Sequence, residues 1–497
     1  MPSSRWLSPI AAGIAIAAFC VVKILSVDYT LADDNLYLYL ADRMADGLLP
    51  YRDFFHAHPP LHLVPGALLF AVTGGFSLGV GKAIPIVATA LAGFFLYRGS
   101  RRMGELDGVL ACVLFLFAFD PLRIASHYVG ASLAAMWIAL AFERLSARQA
   151  VHAGLAFALG ALTLLNVAPA GIGVGLAYLL LDRSGAVRFG AAGLAFFAAA
   201  ALLCVAIVGG AFFEQVVLYH FAKAPGDSTV LRSFNSVIRY NPWLVFGALC
   251  GMVALQFGLA GDEGRSLTGR GEKKASARSA RETVNLRRLP LLALGGAMTS
   301  VAFFAWQDRV FNYYFEILFV CLAPLAAFGL AELFRKASAA LRSRSPGRAV
   351  EALLLVAILG TGLARSSSVR ISWNDYWWPA ANRFDAAVTL ADEVARRSVA
   401  RDTILGDYLS TPLIALLSDR RIAFDEADLN GMRFETGMLD LDALIAKLEA
   451  DPPRLILTRT DGGISNQTDF MAWVEYRYGP VHRHPAAEPK HVIWGNE

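Results

Sequence analysis

The sequence predicts a polytopic α-helical membrane protein with about eleven transmembrane helices and a C-terminal extracytoplasmic α/β domain. Hydrophobic residues make up 56% of the 497 and charged residues only 17%, where ordinary soluble chains carry about 25% charged. Apolar runs approaching the roughly 20 residues that a bilayer core demands recur through the first 365 positions. From residue 366 charges become frequent and short β-prone runs alternate with helical patterns. Together these exclude soluble, disordered and nucleic-acid-binding classes. The formal charge of +4 lies largely in basic inter-helix loops and concerns topology, not a nucleic-acid partner.

Arg5 precedes an apolar run over 7–27 that lacks a small-x-small cleavage site, so it reads as an uncleaved first span. Further spans are expected near 79–97, 107–119, 129–142, 150–165, 168–181, 189–211, 242–260, 289–305, 313–333 and 349–364. The run 61–73 is too short, follows Pro59-Pro60 and contains Pro65; as a re-entrant or interfacial helix it leaves all the basic loops on one side. Those loops hold 20 Lys and Arg against 7 in the opposite loops, which puts the N-terminus inside and the C-terminus outside. Apart from Lys23 the span interiors read as nearly free of charge. The five cysteines all lie in apolar segments and offer no disulfide framework.

Residues 261–288, rich in Gly, Ser, Lys and Arg, read as a disordered cytoplasmic linker. The chain divides into a multispanning part, 1–365, and an α/β domain, 366–497, with strand signals at 403–405, 421–424 and 455–458 and a helical pattern over 439–450. Trp373, Trp377 and Trp378 fit an interfacial belt.

The first outer loop, 28–60, carries the chemistry. On a helical wheel Asn35, Tyr39, Asp42, Arg43 and Asp46 share one arc and Leu36, Tyr37, Leu38, Leu40, Ala41 and Met44 the other, so this helix is expected to lie flat in the membrane interface. Asp33 and Asp34 fall at its N-terminus, where they serve either as helix caps or as a general base acting beside the lipid boundary. His56 and His58 are either solvated interfacial side chains or ligands for a phosphate, with a divalent metal as the weaker reading because H-x-H beside Asp53 is a poor metal signature. Asp120, near Arg123, is either a further acidic site residue or loop structure.

The segments DDNLYLYLADRM, GLLPYRDFF and HAHPPLHL in combination resemble the first extracytoplasmic loop of the C-type (GT-C) membrane glycosyltransferase superfamily. The likeness is to its family 39-like group, related to the protein O-mannosyltransferases and the lipid A aminoarabinose transferase. A second echo runs from Arg309 through Asn312, Tyr313 and Tyr314 to Pro324, similar to an aromatic stretch opening a late span. The chain departs from the family where Asp34 replaces a common Glu and Asn312 a frequent His.

The resemblance implies a bacterial inner-membrane enzyme that moves a sugar from a polyprenyl-phosphate donor to a lipid, glycan or protein acceptor in the envelope, usually with inversion. It makes Asp33 the base and Asp34 its partner, with the Asp34 departure leaving open which acid acts, and Asp120 a further acid; Tyr313, Tyr314 and His56 are the candidate cavity residues. A membrane-anchored phosphate also needs cations at the headgroup level, for which His58, Arg52, Arg123 and Arg309 are the candidates; for each arginine, snorkelling at a helix end is the alternative. The aromatic and basic loop 212–241 is either interfacial or part of a lipid or acceptor cavity. A lipid-linked sugar flippase or transporter is the alternative activity, disfavoured by the crowding of carboxylates in one outer loop; a non-catalytic glycan-binding scaffold is a third class.

Overall fold

The computed structural model describes residues 7–25, 27, 32–223, 230–265, 273–307, 310–342, 382–460, 462–484 and 490–495. Helices dominate the first part: α1 (Leu7–Leu25), α2 (Asp33–Ala45), α3 (Val64–Thr73), α4 (Leu78–Ser100), α5 (Glu105–Leu116), α6 (Phe119–Ile124), α7 (Ala131–Ser146), α8 (Ala150–Thr163), α9 (Val167–Leu181) and α10 (Arg183–Val208). After the short turns α11 (Ala211–Phe213) and α12 (Tyr219–Ala222) come α13 (Val230–Tyr240), α14 (Pro242–Arg265), α15 (Lys273–Trp306) and α16 (Phe315–Arg342). Ten of the eleven expected spans fall on these helices, and the eleventh, 349–364, lies outside the described residues.

Among the described residues five helices are long and apolar enough to cross a membrane alone, namely Leu7–Leu25, Leu78–Ser100, Arg183–Val208, Arg288–Trp306 and Asn312–Ala339. Phe234–Tyr240 and Pro242–Gln256 are apolar enough to form a broken span or a re-entrant loop together, bent by 96° at the Asn241-Pro242 step, where proline removes a backbone donor. The run 61–73 forms only the ten-residue α3, closed by Gly74 at φ 80°. Of the expected 261–288 linker, 261–265 continue α14 and 273–288 belong to α15, while 266–272 lie outside the described residues. Lys and Arg are good helix formers, which is compatible with helix at both ends of the segment.

Small residues set how closely the helices approach. A Cβ added to Gly173 of α9 would stand 2.1 Å from the Gly295 carbonyl oxygen of α15, and one on Gly329 of α16 would stand 2.2 Å from that of Gly247 on α14. These backbone contacts drive association where lipid offers no hydrophobic gain. The span interiors also carry more charge than the sequence reading allowed: Lys82, Asp107 and Glu316 are all buried. Each has a polar partner inside the protein, Asp34, Arg335 and Ser132 respectively, which is how a membrane helix tolerates such a group.

The C-terminal part forms a five-stranded sheet of order β2-β1-β3-β5-β4 from β1 (Thr403–Gly406), β2 (Arg421–Ile422), β3 (Leu455–Arg459), β4 (Gly479–His484) and β5 (His491–Gly495). β1 lies parallel to β2 and β3, while β5 runs antiparallel to β3 and β4. Helices α17 (Asn382–Arg397), α18 (Thr411–Ser418), α19 (Gly431–Glu435), α20 (Leu441–Ala450) and α21 (Thr468–Arg477) accompany it. Asp440 caps α20 by accepting a hydrogen bond from the Ala443 amide.

Helix α2 is packed from two sides. Leu38 and Ala41 pack with Phe70, Ile84 and Tyr128 of the membrane part, while Leu36, Tyr39 and Leu40 join the core of the α/β unit with Ile404, Leu405 and Ile422. Tyr39 and Arg43 of the polar arc are buried on this second side, while Asp46 of the same arc is exposed. The Tyr39 hydroxyl donates to Asp425 at 3.2 Å and accepts from the Ile422 amide at 2.9 Å, and Arg43 Nε donates to Asp425 at 2.7 Å. Long amphipathic side chains let one helix satisfy a polar and an apolar neighbour at once.

Candidate active site

Asp33 and Asp34 occupy the first turn of α2, but neither caps it: the cap position is Ala32, with no side-chain bond. Successive helical residues point about 100° apart, and this separates the pair. Asp34 is fully buried, pairs with Lys82 of α4 and has His127 Nδ1 3.5 Å from its other oxygen. Burial pushes its carboxyl up, and Lys82 and His127 more than reverse this, leaving it below the ordinary carboxylate range. Asp33 instead faces a polar cavity of about 340 Å³. Burial first, then the negative charges of Asp428 and Asp34, raise its carboxyl to about 6, against the pull of His127.

With Asp33 the cavity is lined by Tyr37, His58, His220, Lys223, Tyr313 and Tyr314, and the α/β unit contributes Tyr408, Asp428 and Asn430. A second, larger cavity of about 700 Å³ is mainly apolar, walled by Leu165, Ile172, Phe221, Phe303 and Trp306. Ile172, Phe221 and Trp306 are exposed to the surroundings of the helices. The two cavities share His58, His220, Lys223, Phe311 and Tyr314.

The shared wall is organised around one cation. His220 Nε2 lies 2.8 Å from the Ala57 carbonyl oxygen, to which only an N–H can donate, so Nδ1 is the acceptor for Lys223 Nζ at 3.1 Å. The Lys223 ammonium also sits 4.3 Å from the Tyr219 ring centroid. His58 Nε2 meets the Tyr37 hydroxyl at 3.0 Å, and Tyr37 packs on His62 with ring centroids 4.3 Å apart. Burial, followed by the neighbouring imidazoles, pushes His58 and His56 well below the ordinary histidine range; burial alone pushes His62 down to about 4. These rings are therefore neutral near pH 7.

Asp33, His58, Tyr313 and Tyr314 of the residues expected from sequence come together here. Asp34 is one layer behind. His56 is buried beside Tyr37 and lines neither cavity. Arg52 is largely exposed and bound to Asp53 at 2.8 Å, away from both cavities, because the chain turns at Tyr51 with φ 71°. Arg123 pairs with Asp120 one turn away on α6 at 3.4 Å and rests over Phe119; both lie outside the two cavities. Arg309 lies outside the described residues, as do Trp373, Trp377 and Trp378. The weak metal reading finds no support in position: Asp53 holds Arg52, and among the described residues no three His, Cys, Asp or Glu side chains converge on one point.

Residues the sequence reading did not single out are Lys82, His62, His127, His220, Tyr408 and Asp428. Lys223 was noted only as one cation of the loop 212–241. A lysine inside an apolar run was the signal available for Lys82, since such a charge requires a partner.

No protein-family model matches the chain, and no curated protein matches it in sequence. Its fold, a bundle of membrane helices with α2 at one end and an α/β unit over it, is similar to that of solved membrane glycosyltransferases. The structure of ArnT from Cupriavidus metallidurans bound to undecaprenyl phosphate is similar with TM-score 0.59 at 13% identity, over 100% of this chain and 98% of that one. The apo form of the oligosaccharyltransferase of Archaeoglobus fulgidus is similar with TM-score 0.57 at 14% identity, over 99% of this chain and 75% of that one.

Proposed function

We propose that the protein is an integral-membrane glycosyltransferase that moves a sugar from a polyprenyl-phosphate donor to an acceptor hydroxyl. The observation that carries this reading is the junction of an apolar cavity, open beside exposed membrane-facing residues, with a polar cavity holding Asp33, through one wall built on Lys223. An isoprenoid chain fits the first, a sugar the second, and the phosphate between them belongs at the wall. ArnT of Cupriavidus metallidurans was solved with undecaprenyl phosphate, and the likeness in fold supports the same class of donor.

Asp33 acts as general base on the acceptor hydroxyl. The acceptor oxygen attacks the anomeric carbon, the bond from that carbon to the phosphate oxygen breaks, and the electron pair leaves with polyprenyl phosphate. Inversion follows from attack on the face opposite the phosphate. Lys223, oriented by His220, meets the charge that develops on the leaving phosphate, and preorganised stabilisation of this kind is commonly the largest contribution to rate. Asp34 and Lys82 hold the first turn of α2 in place. The phosphate faces Lys223, and Arg52 and Arg123 have no part in holding it.

The test is mass spectrometry of lipid-linked sugars and envelope glycans from cells lacking the gene, complemented with wild type or with equally expressed Asp33→Asn. A sugar missing from its acceptor, with its polyprenyl-phosphate form accumulating and the variant failing to restore transfer, supports the reading. Unchanged glycans, or full complementation by Asp33→Asn, would sink it.

A further inference from the structure

A groove of about 520 Å³ lies between α1 and α4, at the other end of α4 from the active-site cavities. Nineteen residues separate Lys82 from Arg101, roughly 28 Å of helix and close to the thickness of a bilayer core. The inner wall is apolar, from Pro9, Gly13 and Ile16 of α1 and Phe94 of α4. The rim is cationic, from Arg98, Arg101 and Arg102.

Among the described residues the positive charge at this rim exceeds that of its ion-pair partners. Arg98, Arg102 and Arg144 converge on the single buried carboxylate of Glu143, at 3.3, 3.2 and 3.2 Å. Arg101 lies over the Tyr97 ring at 5.6 Å and donates to its hydroxyl at 3.3 Å. Three guanidiniums thus meet one carboxylate, and the fourth, Arg101, rests on a tyrosine. The groove itself has room, since a Cβ on Gly13 would meet nothing within 4 Å, and the adjoining Ile10 and Ile14 are exposed.

We propose that this groove is a binding site for one anionic phospholipid, its phosphate at Arg98 and Arg101 and an acyl chain against Gly13 and Ile16. A zwitterionic headgroup would bring a second cation to an already cationic rim, and free phosphate would leave the apolar wall unfilled. Paired guanidiniums suit a phosphate diester, and basic pockets between membrane helices suit anionic headgroups.

The experiment is native mass spectrometry of the full-length protein in non-ionic detergent, titrated with phosphatidylglycerol, phosphatidylcholine or inorganic phosphate. Wild type is expected to take one phosphatidylglycerol about tenfold more tightly than phosphatidylcholine, with inorganic phosphate neither binding nor competing. Arg98→Gln with Arg101→Gln is expected to lose that preference. Gly13→Trp, which fills the groove and leaves every charge in place, is expected to lose the lipid as well. Melting temperatures of lipid-free variants equal to wild type serve as the folding control. Equal affinity for the two lipids, displacement by inorganic phosphate, or undiminished binding to Gly13→Trp overturns the proposal.

Discussion

Neighbouring carboxylates in the first turn of α2 have opposite environments, and their substitutions are expected to behave oppositely. Asp33 sits near 6 because burial and nearby acids favour its neutral form. Its base form is present above that value, so kcat/KM is expected to fall as pH drops through about 6, and Asp33→Asn to lose roughly 10² to 10⁴ in rate. The stability effect has the reverse sign. A carboxyl whose folded value is raised destabilises the fold increasingly as pH rises from its ordinary range to about 6. Asp33→Asn should therefore melt higher than wild type at pH 7.5, with the gain shrinking toward pH 5; a calorimetric scan at both values checks this. Asp34→Asn leaves Lys82 buried without its counter-charge, which costs about 3 to 5 kcal/mol, and Lys82→Met in the same chain is expected to recover much of that loss.

At the scale of the element, α2 is a wedge held from two sides. Its lower face is fixed by packing on α3 and α4, its upper face by Tyr39 and Arg43 on Asp425. Asp425 reaches them from a turn in which Phe424 and Asp425 have φ 58° and 52°, a left-handed conformation that aims the carboxylate at α2. Asp425→Ala is expected to destabilise by roughly 1 to 3 kcal/mol and to speed amide exchange in α2 more than in α4. Equal exchange in both helices would mean the contact does not position α2. The same helix shows the limit of pattern reading. Its two arcs were legible in the residues, but a polar arc facing water and a polar arc facing another folded unit have one and the same periodicity.

Across the whole molecule, the proposed function divides lipid and sugar recognition between the two cavities. Ile172 is far along the apolar cavity from Asp33 in the sense that it lines only the former. Ile172→Trp is expected to raise KM about tenfold for a long polyprenyl donor while leaving a short-chain, water-soluble donor unaffected, since only the long chain uses that wall. Steady-state kinetics with both donors decides it; equal effects would place the isoprenoid elsewhere.

The helical membrane class, the order of the spans and the placing of an acid pair at a helix start were all written in local residue patterns. Hydrophobic length reports the bilayer as solvent, and an Asp-Asp step before an amphipathic run marks a helix N-terminus with chemistry attached. Which acid faces the cavity was not local. It depends on Lys82 and His127, which are 48 and 93 positions from Asp34, arriving on one side of α2 and Asp428 on the other. Likewise His220 and Lys223 gain their place only when their segment folds back on Ala57. Long-range packing sets local charge and burial, and these assign Asp33 and Asp34 different roles although the residues are chemically the same.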